Sequence, residues 1–392
     1  MKNETRIRFN KTISVEELKR RWAIVRDAMK REKLDFIIAQ NSTEYFGGYV
    51  RWLTGLSALT NHPVTVIFPY DDEMTIIWSG PGVPDNLSLP GVKKKIDVTV
   101  VPSLAYGNVI EAEKAVGELG KYANCHVGLV NQGTMSAPFY NYVTGHLNGV
   151  KFTDVTDNLD EIKAVKSNEE IQCIRETCQM QDKLFQYALS YIQPGRSERQ
   201  VDGALKGKWL EMGGEQVIVH SGSAPAGIPA RPLRADFGTR LIEEGDTCAL
   251  VIESSCPSGY WGEMVRIVSI GKVSPELAEQ FELVKQAHEM TVALLNEDVA
   301  PTSIWKAYND LRIEAGYTEA VRFYAHGQGY DLIERPTIGP DETMMIKKCA
   351  NFAIHPSVLS ESAFAALGDN YLLDESGNKE RLHSTPHKVF VI

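Results

Sequence analysis

Two glutamates and two histidines in the second half of the chain occupy positions suited to acid–base or metal chemistry. Glu253 closes the apolar run Ala249–Ile252 and Glu263 opens the run Met264–Val268, so both fall where two paired strands would meet a cleft. A carboxylate is costly to bury unpaired. Each is therefore either in an ion pair, with Arg266 the nearest partner for Glu263, or a general acid or base whose pKa is raised by burial and neighbouring acids. His326 is followed by Gly327 and Gly329, which let backbone and ligand approach closely. His355 lies between Ile354 and Pro356 at the end of an apolar strand. An imidazole with an unperturbed pKa near ~6.5 moves protons at neutral pH. Two histidines and one carboxylate also make up a mononuclear zinc or iron site. Tyr260, Trp261 and Tyr330 are candidates for an aromatic wall against a ligand, with core packing the ordinary role of single aromatics.

The elements that must position these residues fall into two groups. Ser14 and Glu17 form a capping box ahead of Leu18, Trp22, Val25 and Met29 at helical spacing, so an amphipathic helix opens the chain. Short apolar runs at 35–39, 64–68, 74–78 and 127–130 are spaced as strands alternating with helices, which predicts a small α/β domain over residues 1–161. From residue 162 the pattern changes. Ser167 and Glu170 form a second capping box, and the helix they open runs to Tyr191, where Pro194 and Gly195 stop it. Further helices are predicted from Ser197 to Met212, over 275–296 with Pro275 at its first position, and over 303–315. Strands are predicted at 248–253, 263–270, 352–354, 371–373 and 389–391. Residues 162–392 thus read as helices on one face of a curved, mostly antiparallel sheet, the α+β arrangement.

A chain of 392 residues exceeds the size at which one core stops growing, which agrees with two domains. Its formal charge of −10, without a compensating basic block, disfavours nucleic acid and anionic lipid as partners. No apolar run approaches the ~20 residues needed to cross a bilayer. The charged segment Met1–Arg8 lacks the apolar stretch of a secretory signal, so a soluble cytoplasmic protein is expected. Six scattered cysteines without a Cys-x-x-Cys pair read as reduced structural thiols. There is no phosphate-binding glycine loop and no tandem repeat. The expected partner is a small molecule, and no cofactor is expected.

Several segments, in order, carry a resemblance: Ile162–Ile171, Ser221–Gly222, Glu244–Asp246, Gly259–Tyr260 with Arg266 and Gly271, His326–Gly329 with Glu334 and Pro336, Ile354–Pro356, and Gly368–Asp369 before Gly377. Together they resemble the creatinase/prolidase/aminopeptidase P superfamily over about 162–392, and Tyr49–Gly55 resembles a stretch of that superfamily's N-terminal domain. The resemblance implies an α/β N-terminal domain, a "pita-bread" α+β C-terminal domain and a homodimer. It further implies a dinuclear metal site of Asp, Asp, His, Glu and Glu. The first Asp falls at Ile252, or at Glu253 if the register slips by one, and the second at Glu263. The histidine is kept as His326, whereas His355 and Gly368, beside Asp369, stand at the two glutamates. A bridging dinuclear site needs several carboxylates. With so few in register, the expectation here is chemistry without metal.

Creatinase shares the fold and hydrolyses a small C–N bond with His and Glu, although its catalytic histidine aligns with Ala230 or its neighbours. In that same loop Arg231 and Arg234 would offer guanidiniums to a carboxylate. Arg51 and Trp52 would reach a partner subunit's cleft, as such residues do in family dimers, with an ordinary surface loop as the alternative. The leading expectation is metal-independent hydrolysis of an amide, amidine-like or ring-amide C–N bond in a small carboxylate-bearing, non-peptide substrate. His326 and His355 would shuttle the proton, Glu263 with Glu253 or Asp369 would activate water, and Tyr330, Glu334, Tyr260 and Trp261 would contact substrate. Two alternatives stand beside it: a metal-dependent Xaa-Pro-type peptidase or β-eliminating lyase at the same cleft, and a non-catalytic ligand-binding homologue.

Overall fold

Ser167 caps its helix as its residue type requires: Ser167 Oγ accepts from the Glu170 N–H, and the Glu170 carboxylate accepts from the Ser167 N–H at 2.8 Å. The computed structural model describes residues 13–41, 48–57, 63–79, 89–98, 104–122, 124–232 and 238–392. They form two compact units, one ending at Lys163 and the other spanning Ala164–Ile392.

The first unit is built on a six-stranded mixed sheet. Its strand order is Val92–Val98, Met74–Ser79, Val64–Pro69, Phe36–Asn41, His126–Val130, Lys151–Asp154. The central strands are apolar and buried throughout, so the apolar runs of the sequence mark them. Both edge strands escape that reading because they are polar: Val92–Val98 carries Lys93, Lys94 and Lys95, and Lys151–Asp154 is largely exposed. Charge on an edge strand discourages further strand pairing, which is why such strands lack an apolar pattern. The helix Val15–Glu32 lays Leu18, Trp22, Val25 and Met29 into the interior, with Ser14 as its cap.

In the second unit three strands dominate one antiparallel sheet, Gln216–Pro225, Asp246–Ser255 and Trp261–Ser269, with Phe390–Val391 added in parallel. A second sheet, antiparallel throughout, runs in the order Glu334–Ile338, Ala325–Gly327, Ala350–Ile354, Asp369–Leu373, Lys379–Arg381. The two sheets touch through an isolated bridge between Val265 and Gly368. Helices Asn168–Tyr191 and Glu198–Glu211 bury Leu184, Phe185, Val201, Leu205 and Trp209 against Leu250, Ile252, Met264 and Val268. Helices Pro275–Leu294 and Pro301–Glu314 each start with proline at their first position. The strand Gln216–Pro225 is absent from the sequence reading because His220, Ser221, Gly222 and Ser223 interrupt any apolar pattern at this sheet edge. Among the described residues no helix is long and apolar enough to cross a membrane. All six cysteines are buried and none forms a disulfide.

Asp202, on the helix Glu198–Glu211, has its carboxyl pushed up to about 6 by burial, against the pull of Ser221 and Lys206. An acid with a raised folded pKa holds its proton more tightly in the native state, so its contribution to stability falls as pH rises from 3.8 to about 6 and stays low above that. Asp202→Asn should therefore raise the urea midpoint at pH 8, with the gain shrinking as pH approaches 4. An equal change at both pH values would contradict this account.

Candidate active site

Glu253 and Glu263 are directly opposed across the antiparallel pair Asp246–Ser255 and Trp261–Ser269. Facing partners project from the same side of a sheet, so the two carboxylates share one face. Ile252 pairs with Met264 on the other face and lies in the core, which settles the register: the acidic position is Glu253. The same alternation separates Glu263 from Arg266, three residues on, and the expected ion pair between them does not form. Arg266 turns away to Asp369 at 2.6 Å and to the carbonyls of Val265, Gly368 and Thr385.

His326 comes from the second sheet. The pairing of Ala325–Gly327 with Glu334–Ile338 shifts register between His326 and Gly327, an irregularity that re-aims a side chain. A Cβ at 327 would meet the Arg335 carbonyl oxygen at 2.7 Å, so this crossing requires glycine. His355 follows the adjacent strand Ala350–Ile354. These side chains meet in the wall of a cleft of about 310 Å³, lined by Glu253, Glu263, His326 and His355 and by Val251, Val265, Tyr308, Val321, Arg322, Phe323, Leu359 and Phe364. That volume is within the usual range for small-molecule sites, about 300–1,000 Å³.

Glu263 Oε2 lies 3.3 Å from His326 Nε2, and Glu263 Oε1 lies 3.9 Å from His355 Nε2. One donor atom from each of the three residues fits within 4.8 Å of the others. His326 Nδ1 is 2.8 Å from the Gly327 carbonyl oxygen. A carbonyl only accepts, so Nδ1 carries the hydrogen and the neutral ring presents a lone pair at Nε2. Two lone pairs, on Nε2 and Oε2, then face each other. Neither Glu263 Oε2 nor His355 Nε2 has an aligned hydrogen bond, although both atoms are buried. A cation, a proton or the hydrogen of a bound donor can fill this gap, because buried acceptors without a partner are strongly disfavoured.

Electrostatics separates the two glutamates. Burial, reinforced by the charge of Glu263, pushes Glu253 up to about 8, with Arg322 pulling it back. Burial also works to raise Glu263, but the neighbouring His355 and His326 outweigh it and lower its pKa. Burial lowers His355 against the pull of Glu263. At neutral pH the pair thus shares a single negative charge, placed on Glu263.

Five other expected site residues are engaged elsewhere. Asp369 is fully buried outside the cleft, bound by Arg266, by Arg381 at 2.9 Å and by His387, with His383 Nδ1 at 3.2 Å. Burial acts to raise its pKa, yet Arg266, His383 and His387 hold it well below the usual carboxylate range. Donor atoms of His288, Asp369 and His387 also converge, but two guanidiniums already on Asp369 repel a further cation. Glu334 pairs with buried Lys166 at 2.5 Å. Tyr260 donates to Glu170 at 2.9 Å and stacks on Tyr330 at 4.1 Å, and Trp261 is wholly buried, so the three aromatics are core.

The remaining expectations concern arginines and their neighbours. Arg231 is exposed and does not line the cleft, while Arg234 lies outside the described residues. Arg51 and Trp52 lie in the buried helix Gly48–Thr54 rather than on a surface loop, with the Arg21 guanidinium 5.0 Å from the Trp52 ring centre. Arg322, which lines the cleft four residues before His326, escaped the sequence reading. Its one signal there was a cation close to the histidine motif.

Two mostly antiparallel sheets bridged beside a cleft, with Glu263 brought in by one and His326 by the other, make up the pita-bread arrangement. The chain belongs to metallopeptidase family M24, which residues 172–375 match. It is similar to an uncharacterised peptidase of Bacillus subtilis, at 23% identity over 270 residues covering 67% of this chain and 74% of that protein. It is also similar to the Xaa-Pro dipeptidase of Pyrococcus furiosus, at 23% identity covering 74% of this chain and 85% of that one. The crystal structure of dipeptidase PepE from Mycobacterium ulcerans matches 97% of this chain and 99% of its own with a TM-score of 0.77 at 21% identity, a likeness of fold.

The family implies metal, and the donor set tests what fits. A two-ion site does not: position 368 carries no side chain, and a Cβ there would meet Val265 Cγ2 at 2.6 Å. One ion does fit, because Glu263, His326 and His355 supply two imidazoles and a carboxylate whose donor atoms lie within 4.8 Å of one another, Glu263 Oε2 and His355 Nε2 having no other hydrogen-bond partner among the described residues.

Proposed function

We propose that this chain hydrolyses an amide C–N bond in a small peptide-like substrate, using one divalent ion held by Glu263, His326 and His355. The observation that carries this reading is the facing pair of acceptor atoms, His326 Nε2 and Glu263 Oε2 at 3.3 Å, with the tautomer set by Gly327. A carbonyl bound to the far nitrogen of a metal-binding histidine is the usual way of fixing its orientation. Membership of a metallopeptidase family and the likeness to an Xaa-Pro dipeptidase support the peptidase reading over metal-independent, non-peptide hydrolysis.

When bound, the ion would polarise the scissile carbonyl and make water a nucleophile at neutral pH. The protein's own groups do the rest. Glu253, whose carboxyl burial and the Glu263 charge push up to about 8 in the ion-free protein, faces the cleft and can hand a proton to the departing amine nitrogen. Glu263 keeps its negative charge between the two imidazoles, so the three donor atoms converge on the point where a cation would be held. The apolar walls, Val251, Val265, Phe323 and Phe364, exclude bulk water and strengthen each of these interactions.

Equilibrium dialysis of chelator-stripped protein against zinc, manganese or cobalt tests the reading. One equivalent per chain is expected, together with chelator-sensitive release of amino acid from dipeptides. Two equivalents would overturn the ligand assignment. Hydrolysis unaffected by chelator in ion-free protein would instead place a proton between His326 and Glu263.

A further inference from the structure

Two guanidiniums line the cleft, and they differ in what surrounds them. Arg312 is engaged by the fold: its Nε donates to the Thr318 carbonyl at 2.9 Å, and its Nη1 donates to the Ser357 carbonyl at 2.7 Å and the Tyr308 hydroxyl at 3.1 Å. Arg322 makes no hydrogen bond or ion pair among the described residues. It is exposed at the cleft mouth, its guanidinium 5.2 Å from the Phe323 ring centre, and its charge is felt by both Glu253 and His355. Beside it Val321 is 90% exposed and Leu359 41% exposed, two apolar side chains on the wall of the same cleft. A free cation with an apolar lip is the arrangement that binds an amphiphilic anion, since guanidinium grips carboxylate bidentately and the lip covers an aliphatic group.

We infer that Arg322 is a specificity-determining residue that binds a carboxylate of the substrate, so that the cleft selects amides carrying both an anionic and an apolar group. This inference rests on the amide-hydrolase reading for the word substrate only, because anion recognition is a binding property. It also supplies a reason for a free positive charge beside two acids. The charge on Glu263 would otherwise repel an anionic ligand from the cleft. Arg322 takes the part expected of Arg231 and Arg234.

The test compares N-acetyl-L-leucine with N-acetyl-L-leucinamide, which share the amide bond and the isobutyl group and differ in the carboxylate. Affinity is measured by calorimetry on the full chain, both ion-free and after addition of zinc. Wild-type protein is expected to bind the acid more tightly than the amide. Arg322→Ala should weaken the acid by about ten- to a hundredfold and leave the amide unchanged. Arg322→Lys should fall between, since it keeps the charge and loses the fork. An unchanged melting midpoint would show that the exposed side chain carries no fold. Equal wild-type affinity for the two ligands, no measurable binding of the acid, or an equal loss of both in Arg322→Ala would overturn the proposal. Because binding is read without turnover, protein that discriminates acid from amide but releases no amino acid from dipeptides would sink the catalytic reading and leave the anion site standing.

Discussion

Replacing Glu263 with glutamine should abolish ion binding and hydrolysis together while leaving the fold intact. The side chain keeps its shape, so the cleft does not collapse, but the negative charge that the two imidazoles surround is gone. Substituting residues that only orient metal ligands costs about 10- to 100-fold in affinity or activity, so loss of a charged ligand should exceed about 100-fold in both. Isothermal titration with zinc and a dipeptidase assay, run on the same preparation, give the two numbers. An unchanged affinity and rate would remove Glu263 from the site. Ion binding lost with activity retained would show that hydrolysis uses neither the ion nor the Glu263 carboxylate. Glutamine is chosen over alanine because it keeps the volume of the side chain and leaves no cavity in the cleft wall.

Asp369→Asn should be the most destabilising single polar change in the second unit. Arg266 and Asp369 are both completely buried and paired at 2.6 Å, and Arg381, His383 and His387 converge on the same carboxylate. Removing one partner from a buried pair leaves an uncompensated charge and costs about 3–5 kcal/mol. A carboxylate depressed in the native state stabilises fully above its unfolded value of 3.8, and that stabilisation is lost as pH falls toward the folded value. Urea unfolding should thus show the full deficit of the asparagine variant at pH 7, narrowing only below about pH 4. A deficit under 1 kcal/mol at pH 7 would mean that Arg266 finds other acceptors sufficient, the Gly368 and Thr385 carbonyls being the nearest.

Much of the architecture was legible because it follows from local chemistry. The capping box at Ser167, the serine cap at Ser14, whose Glu17 is taken up by Arg20 and Arg21 instead of closing a box, the prolines opening two helices and the buried central strands all express themselves within a few residues. Edge strands were not legible, because a strand that faces water on one side carries lysine, serine and glycine instead of an apolar pattern. At the site, Glu253, Glu263, His326 and His355 could be named because strand ends and glycine-flanked histidines mark themselves. Their partners could not. Whether a buried acid meets Arg266 or a histidine depends on strand parity and on side chains about sixty to a hundred residues away. Asp369 and Glu334 show the same limit: each looked like a free acid in sequence, and each is closed off by a cation from a distant segment, Arg266 or Lys166.

The contact between Gly368 and Val265 limits what could be engineered into this cleft. The two backbones exchange hydrogen bonds at 3.1 Å in both directions, and Val265 Cγ2 fills the space that a side chain at 368 would need. A glutamate placed at 368 would collide with the neighbouring strand before it could reach any ion, and position 355 would still offer an imidazole in place of an acid. Building a two-ion centre here takes coordinated changes at 265, 368 and 355, so the close approach of two strands closes the single-substitution route to a second ion.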